Sequence, residues 1–159
     1  MDKGLPTELL QEIFSYIPLS KVFQYTRLCK RIHSCLNSSD FARISLQRTT
    51  LPRRMNSVCE TAEDKLWLYW PRECQKVYAI DILAPLDSLD WNGGSIMSGK
   101  PMPPSIGLLI QLKELRMAQN CLFGPIPDEL WELAQLLTLD LSFNRLNCTI
   151  SNEIQNLMH

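Results

Sequence analysis

The chain has 159 residues, of which 45% are apolar, and its 17 acidic and 16 basic side chains give a net charge of -1. This composition excludes an intrinsically disordered chain, because such chains are poor in apolar residues and carry a high net charge. Six cysteines are too few for a disulfide scaffold. The longest apolar run, residues 106–112, is far shorter than the roughly 20 residues of a membrane span, and no signal-peptide h-region opens the chain. We therefore expect a cytoplasmic or nuclear protein, or one in both compartments, that does not bind membranes.

Charge is distributed unevenly along the chain. Residues 1–54 hold nine Lys or Arg against four Asp or Glu, whereas the remainder holds seven against thirteen. A basic segment is compatible with nucleic-acid binding, but no aromatic residues are interleaved with it for base stacking. We interpret it as solvated helix surface and expect no nucleic-acid partner.

The pattern of the first 46 residues predicts three short helices. In the first, apolar residues recur at the spacing of one helix face: Leu9, Leu10, Ile13, Phe14 and Ile17. Pro6 precedes this helix, Thr7 is the predicted N-cap, and Pro18 ends it because proline has no backbone N-H to donate.

A second helix is predicted to begin at Ser20 and to continue to Leu36, and a third begins near Phe41. The second has its apolar residues on one face: Val22, Tyr25, Cys29, Ile32 and Leu36. Three short helices in about 40 residues bury too little surface to be stable alone. We therefore expect a partner to cover their apolar face.

Residues 5–46 resemble the F-box motif throughout its length. The matching features are Leu5-Pro6, the turn Glu8-Leu9-Leu10, the run 13–18, the segment Leu28-Cys29-Lys30 and the closing run 41–46. The alternative is a generic three-helix N-terminal cap with the same apolar stripe, although periodicity alone would not fix both prolines and Leu-Cys-Lys at these offsets.

The resemblance implies a function as well as a fold. F-box helices dock onto the Skp-type adaptor of a cullin-RING ubiquitin ligase, while the rest of the chain holds the substrate. The docking residues that this implies here are Leu5, Pro6, Leu9, Ile13, Phe14, Ile17, Pro18, Leu19 and Val22.

A period of 24 residues emerges between residues 103 and 157. Leu109, Leu133 and Leu157 coincide in this register. Further coincident pairs are Leu112 with Leu136, Leu115 with Leu139, Met117 with Leu141, Asn120 with Asn144, Leu122 with Leu146, and Ile126 with Ile150. These are leucine-rich repeats, in which the leucines fill the interior of each coil and the asparagine bonds otherwise unpaired turn backbone.

Residues 122–133, LFGPIPDELWEL, resemble the plant-type leucine-rich repeat. In that family the Gly-x-Ile-Pro run makes a second turn on the convex side. The next repeat departs from the pattern, with Cys148 in place of Gly124 and Ser151 in place of Pro127, and Cys resists the positive φ that Gly allows.

Two helices, 62–70 and 73–83, are predicted between these parts, and we expect them to cap the first coil of the solenoid. Their predicted core residues are Leu66, Trp67, Trp70, Val77, Ile80 and Leu83. Leu86, Leu89 and Trp91 then start a degenerate repeat, and the run 92–94, Asn-Gly-Gly, is a turn without the spacing of a phosphate loop.

Catalytic and metal-binding chemistry have little support. Cys29, His33 and Cys35 lie within seven residues, but they do not share one helix face and form no Cys-x-x-Cys pair. A cysteine nucleophile would need a nearby base, and the only histidines are His33 and His159. We expect a protein that is not an enzyme and has no cofactor and no metal.

The sequence thus predicts a mostly α N-terminus followed by a short α/β leucine-rich-repeat solenoid. The expected domains are an F-box at 1–48, a helical linker or cap with a possible degenerate repeat at 49–102, and about two repeats at 103–159, truncated or covered by another chain. The target should bind the concave strand face, through Arg116, Gln119, Asp140 and Phe143.

Three functions are to be weighed against these features. The first is a substrate-recognition subunit of a Skp-cullin-F-box ubiquitin ligase. The second is a non-enzymatic intracellular leucine-rich-repeat scaffold with a helical cap. The third, a secreted plant-type receptor fragment, is disfavoured because no signal peptide is evident.

Overall fold

The computed structural model of the chain describes residues 5–48, 64, 67–93 and 100–147. The chain divides into two compact units. The first contains residues 1–53 and 70–78, and the second contains residues 54–69 and 79–159. We call them the helical unit and the repeat unit.

The helical unit confirms the mostly α N-terminus. Its helices are α1 (Thr7–Ser15), α2 (Leu19–Val22), α3 (Lys30–Leu36), α4 (Ser39–Arg48) and α5 (Arg72–Tyr78), with a 3-10 helix at Phe23–Arg27 between α2 and α3. Pro6 is the N-cap of α1, and Thr7 lies inside the helix without a capping hydrogen bond, contrary to the predicted cap.

The predicted long second helix is wrong, because the segment is divided into α2, the 3-10 helix and α3. Cys29 interrupts it with an extended backbone, φ -163° and ψ 163°. Ser38 then separates α3 from α4. Its hydroxyl accepts a hydrogen bond from the N-H of Phe41 at 3.2 Å and donates one to the carbonyl of Cys35 at 2.7 Å, so this serine acts as the N-cap of α4.

Helix α5 packs against α4 within the helical unit. The thiol of Cys74 donates to the carbonyl of Leu36 at 3.7 Å, and the rings of Trp70 and Tyr78 meet edge to face at 5.1 Å. We had expected this segment to cover the solenoid, whereas its residues 70–78 group with the N-terminal helices.

The repeat unit contains a parallel sheet of β1 (Ser88–Asp90), β2 (Glu114–Arg116) and β4 (Thr138–Asp140) in that order. The register aligns Leu89, Leu115 and Leu139 in one inward row. The segment expected to start a degenerate repeat therefore supplies the first strand.

The far side of each coil is also periodic. The 3-10 helices Pro104–Leu108 and Asp128–Glu132 lie 24 residues apart and pack together. A second parallel sheet joins β3 (Phe123–Gly124) to β5 (Arg145–Leu146). Gly124 begins the second turn with φ +83°, as the Gly-x-Ile-Pro pattern predicts.

One predicted core residue is wrong in this unit. Ile80 is 48% exposed, while Ala79 and Leu83 are fully buried. Residues Ala79–Leu83 form a π-helical turn, and its extra residue shifts the phase that a 3.6-residue period predicts.

Some predictions concern residues that lie outside the described part of the chain: Leu66, Cys148, Ile150, Ser151, Leu157 and His159. Among the residues described, no helix is long and apolar enough to span a membrane.

Candidate binding surfaces

Helix α1 buries two polar residues and exposes two of its apolar residues. Gln11 and Ser15 are buried, and the Gln11 amide donates to the hydroxyl of Ser38 at 3.0 Å. On the opposite face Leu5, Leu9 and Ile13 are 49%, 43% and 47% exposed. We call these three residues the α1 stripe. A helix that buries amides and exposes leucines is oriented for an external apolar partner.

The other residues of the predicted docking set differ in accessibility. Pro6 and Pro18 are exposed, and Phe14 and Ile17 are half-buried. The side chain of Leu19 lies outside the described part of the chain. Val22 is fully buried, so it belongs to the core of the helical unit and is removed from the docking set.

Tyr16 continues the α1 stripe and was missed by the sequence analysis. It is 70% exposed, and the guanidinium of Arg48 lies 4.1 Å from the centre of its ring. Arg48 also pairs with Glu12, and its hydrogen bond with Tyr16 is the main cause of a raised Arg48 pKa. The i+3 spacing from Ile13 was the available signal.

The predicted concave face of the repeat unit corresponds to the outward side of β1, β2 and β4. Arg116 is exposed and lies 3.6 Å from Glu114 of its own strand. Asp140 is half-buried, and its carboxylate accepts the N-H of Ser142 at 3.0 Å. Hydrogen bonds from Ser142, with a smaller contribution from Arg116, lower the pKa of Asp140. Its side chain is thus a fixed anion at the end of β4.

Gln119 and Phe143 occupy one repeat position directly after the strands. Both have left-handed backbone, with φ 60° and 55°, and the same position in the first coil is Gly93 with φ +69°. Phe143 is also 79% exposed. A bulky side chain is uncommon in this conformation, so Phe143 combines backbone strain with an exposed ring.

Asn120 and Asn144 hold the coils together beneath this face. The Asn144 carbonyl accepts the N-H groups of Asn120 at 3.1 Å and Leu122 at 3.0 Å. Its amide donates to the carbonyls of Met117 at 2.8 Å and Leu141 at 2.9 Å. Asn120 likewise donates to Trp91 at 2.6 Å and Ala118 at 3.1 Å. The predicted role of these asparagines is confirmed.

The two buried thiols of the helical unit, Cys35 and Cys74, are unsuited to nucleophilic chemistry. Burial raises the pKa of the Cys74 thiol to about 12 and also raises the pKa of Cys35, and a thiol is a poor nucleophile until it ionises. No group of three or more His, Cys, Asp or Glu placed to hold a metal occurs among the described residues.

An exposed apolar helix stripe and a repeat sheet with an open concave face define a protein built for protein-protein interaction. Residues 3–47 match the F-box-like family, and residues 111–133 and 135–157 match the Leucine Rich Repeat family. The chain thus combines an F-box-like domain with leucine-rich repeats, as predicted. This combination is typical of non-catalytic adaptor or scaffold proteins.

Similar solved structures come from Arabidopsis. The chain is 31% identical to a chain in the crystal structure of the Arabidopsis receptor kinase HAESA in complex with the peptide hormone IDA and the co-receptor SERK1, covering 55% of this chain and 13% of that chain with a TM-score of 0.44. It is 29% identical to a chain of the BIR3 - SERK2 complex from Arabidopsis thaliana, covering 43% of this chain and 49% of that chain with a TM-score of 0.36. This chain therefore spans less than half of either. A search of curated proteins gave no match.

Proposed function

We propose that the protein is the substrate-recognition subunit of a Skp-cullin-F-box ubiquitin ligase. The helical unit binds the Skp-type adaptor, and the repeat unit binds the protein to be ubiquitinated. The protein makes and breaks no bonds, because raising the local concentration of a target near the charged ubiquitin carrier is its whole contribution.

The α1 stripe carries this proposal. Its three aliphatic side chains are nearly half exposed, although the same helix buries Gln11 and Ser15. Burying a Leu or Ile side chain fully contributes about 1.5–3 kcal/mol. A partner that covers the stripe therefore gains enough to offset part of the cost of association. The F-box-like match over residues 3–47 supports a Skp-type adaptor as that partner.

The adaptor-binding set that we propose comprises the accessible residues of the predicted set together with Tyr16. Its members are Leu5, Pro6, Leu9, Ile13, Phe14, Tyr16, Ile17 and Pro18. The target-binding set comprises Arg116, Gln119, Asp140 and Phe143. The scaffold alternative predicts that the adaptor-binding set does not bind a Skp-type adaptor.

The test is co-expression of the full chain with a Skp-type adaptor, followed by size-exclusion chromatography. We expect co-elution of the wild type and complete loss with Leu9→Asp, because the substitution places an unpaired carboxylate in an apolar interface. The matched control is Leu137→Asp, the same change at a leucine that is 81% exposed in the repeat unit. It should co-elute like the wild type.

Two results would contradict the proposal. Absence of a complex with the wild type would leave the scaffold function. Full-strength binding by Leu9→Asp, with circular dichroism showing an unchanged fold, would mean that the α1 stripe is not the docking face.

A further inference from the structure

We propose that the concave face of the repeat unit binds a basic, extended segment of its target, whose Lys or Arg side chains contact Asp90 and Asp140 and the ring of Phe143. This inference rests on the proposed function, since it names the kind of target segment that the repeats hold. The charge of the sheet face and the conformation of one aromatic residue support it.

The outward side of the sheet carries three carboxylates and one cation. Asp90, Arg116 and Asp140 form one row across the three strands, and Glu114 lies beside Arg116 at 3.6 Å. The positive charge of Arg116 is thus offset by Glu114 of its own strand. Lys113, just before β2, is balanced in the same way by Asp87 at 3.7 Å. The face keeps a net negative charge, which a basic segment complements.

Asp90 and Asp140 are held in place before any ligand arrives. The N-H of Asn92 donates to Asp90 at 3.2 Å, and the N-H of Ser142 donates to Asp140 at 3.0 Å. Within the described chain, neither carboxylate forms an ion pair with a basic side chain. Because they lie two strands apart, their separation is about 10 Å. Two cationic side chains of an extended segment that crosses the strands can span such a distance.

Phe143 supplies a second, apolar component three residues after Asp140. The positions equivalent to it hold Gly93 and Gln119, so the fold does not require an aromatic residue there. Its ring is 79% exposed and its φ of 55° is strained. Strain of this kind is concentrated at ligand-binding positions. An exposed aromatic ring three residues from a fixed carboxylate suits the guanidinium of arginine or the ammonium of lysine.

The experiment measures the binding of two peptides to the full chain by fluorescence anisotropy. The first is a fluorescein-labelled 12-residue peptide of Gly and Ser with arginine at every third position. The second carries citrulline at the same positions, which keeps the shape of arginine and removes its charge. We expect the arginine peptide to bind at least about tenfold more tightly at low salt, with the difference falling as salt screens the charges.

Two variants locate the binding on the sheet. Asp140→Asn keeps an oxygen for the Ser142 N-H, and Phe143→Asn places a residue that tolerates left-handed backbone, so both should fold. Each should weaken binding of the arginine peptide about threefold, the scale of an exposed ion pair or cation-π contact. Glu132→Gln removes one exposed negative charge from the 3-10 helix Asp128–Glu132 and should leave binding unchanged.

The inference is overturned if the two peptides bind equally or if neither binds. It is also overturned if Asp140→Asn and Phe143→Asn bind as tightly as Glu132→Gln. Each preparation is run in parallel with the adaptor. Loss of peptide discrimination with intact co-elution refutes only this inference, whereas loss of co-elution by the wild type refutes the proposed function.

Discussion

Single residues determine how closely the two coils approach each other. Gly107 lies on the 3-10 helix Pro104–Leu108, where an added Cβ would lie 2.6 Å from the backbone oxygen of Glu129 and 2.7 Å from its Cβ. Since backbone cannot move aside cheaply, we expect Gly107→Ala to lower the free energy of unfolding by about 1–3 kcal/mol. Thermal denaturation would measure this loss. The exposed Gln111→Ala is the control, and a Gly107→Ala chain as stable as that control would contradict the packing described.

Burial of one thiol makes stability depend on alkaline pH. The pKa of Cys74 is about 12 in the folded chain against 9.0 for an ordinary thiol. Above pH 9 the unfolded chain releases this proton while the folded chain retains it, so the contribution of Cys74 to stability is complete below pH 9 and is lost between pH 9 and about 12. The loss approaches about 1.4 kcal/mol for each pH unit.

The measurement for Cys74 is denaturant unfolding at several pH values from 8 to 11. Because lysines and tyrosines titrate in the same range, the quantity of interest is the difference between wild type and Cys74→Ala. That difference should shrink as pH rises. A difference independent of pH would mean that the thiol ionises equally readily in the folded and unfolded chains.

Among elements, the asparagine contacts join one coil to the next. Asn144→Ala would leave the N-H groups of Asn120 and Leu122 and the carbonyl of Met117 without this partner. We expect a loss of about 2–4 kcal/mol in the free energy of unfolding, since each orphaned buried group costs about 1–3 kcal/mol. Asn147→Ala, at an exposed asparagine nearby, should change stability little. Equal effects in denaturant titration would show that the contacts contribute nothing specific.

The same elements show which structural features could be predicted from the sequence. The 24-residue period predicted the strand register of Leu115 with Leu139 and the asparagine contacts, because each repeat position recurs in the same environment. Periodicity failed where the helix changed type. Ile80 is exposed in the π-helical turn Ala79–Leu83, and the segment predicted as one helix from Ser20 to Leu36 is divided into α2, a 3-10 helix and α3. A 3.6-residue period assumes a continuous α-helix, so it does not predict where the helix type changes.

The candidate surfaces were predicted to different extents. The α1 stripe followed from the F-box resemblance and from helical spacing, and the structure adds Tyr16 to it. The positive backbone φ of Phe143 could not be predicted from the sequence of its own repeat. Its signal lay in the first coil, where Gly93 occupies the equivalent position, and that coil has diverged too far for the period to align it. The row of charges across the sheet also depends on the strand register, which aligns Asp90 and Asp140 with Arg116.

At the scale of the whole molecule, the helical unit does not end where the F-box motif ends. Helix α5 packs on α4, and the apolar residues of α4, Phe41, Ala42 and Leu46, are buried in the full chain. A fragment of residues 1–53 lacks α5, whereas a fragment of residues 1–83 contains it. Without α5, part of the surface of α4 returns to water, which costs about 25 cal/mol for each Å² of apolar area.

We therefore expect the amides of α4 to exchange with solvent faster in fragment 1–53 than in fragment 1–83, and the shorter fragment to bind more of a hydrophobic dye. Hydrogen exchange resolved by mass spectrometry, with both fragments at the same concentration, would measure the first effect. Exchange in α1 serves as the internal reference, because α1 does not pack on α5 to the extent that α4 does, and its partner α3 is present in both fragments. Equal protection of α4 would show that α5 is dispensable to this unit, and the F-box boundary near residue 48 would then coincide with a structural one.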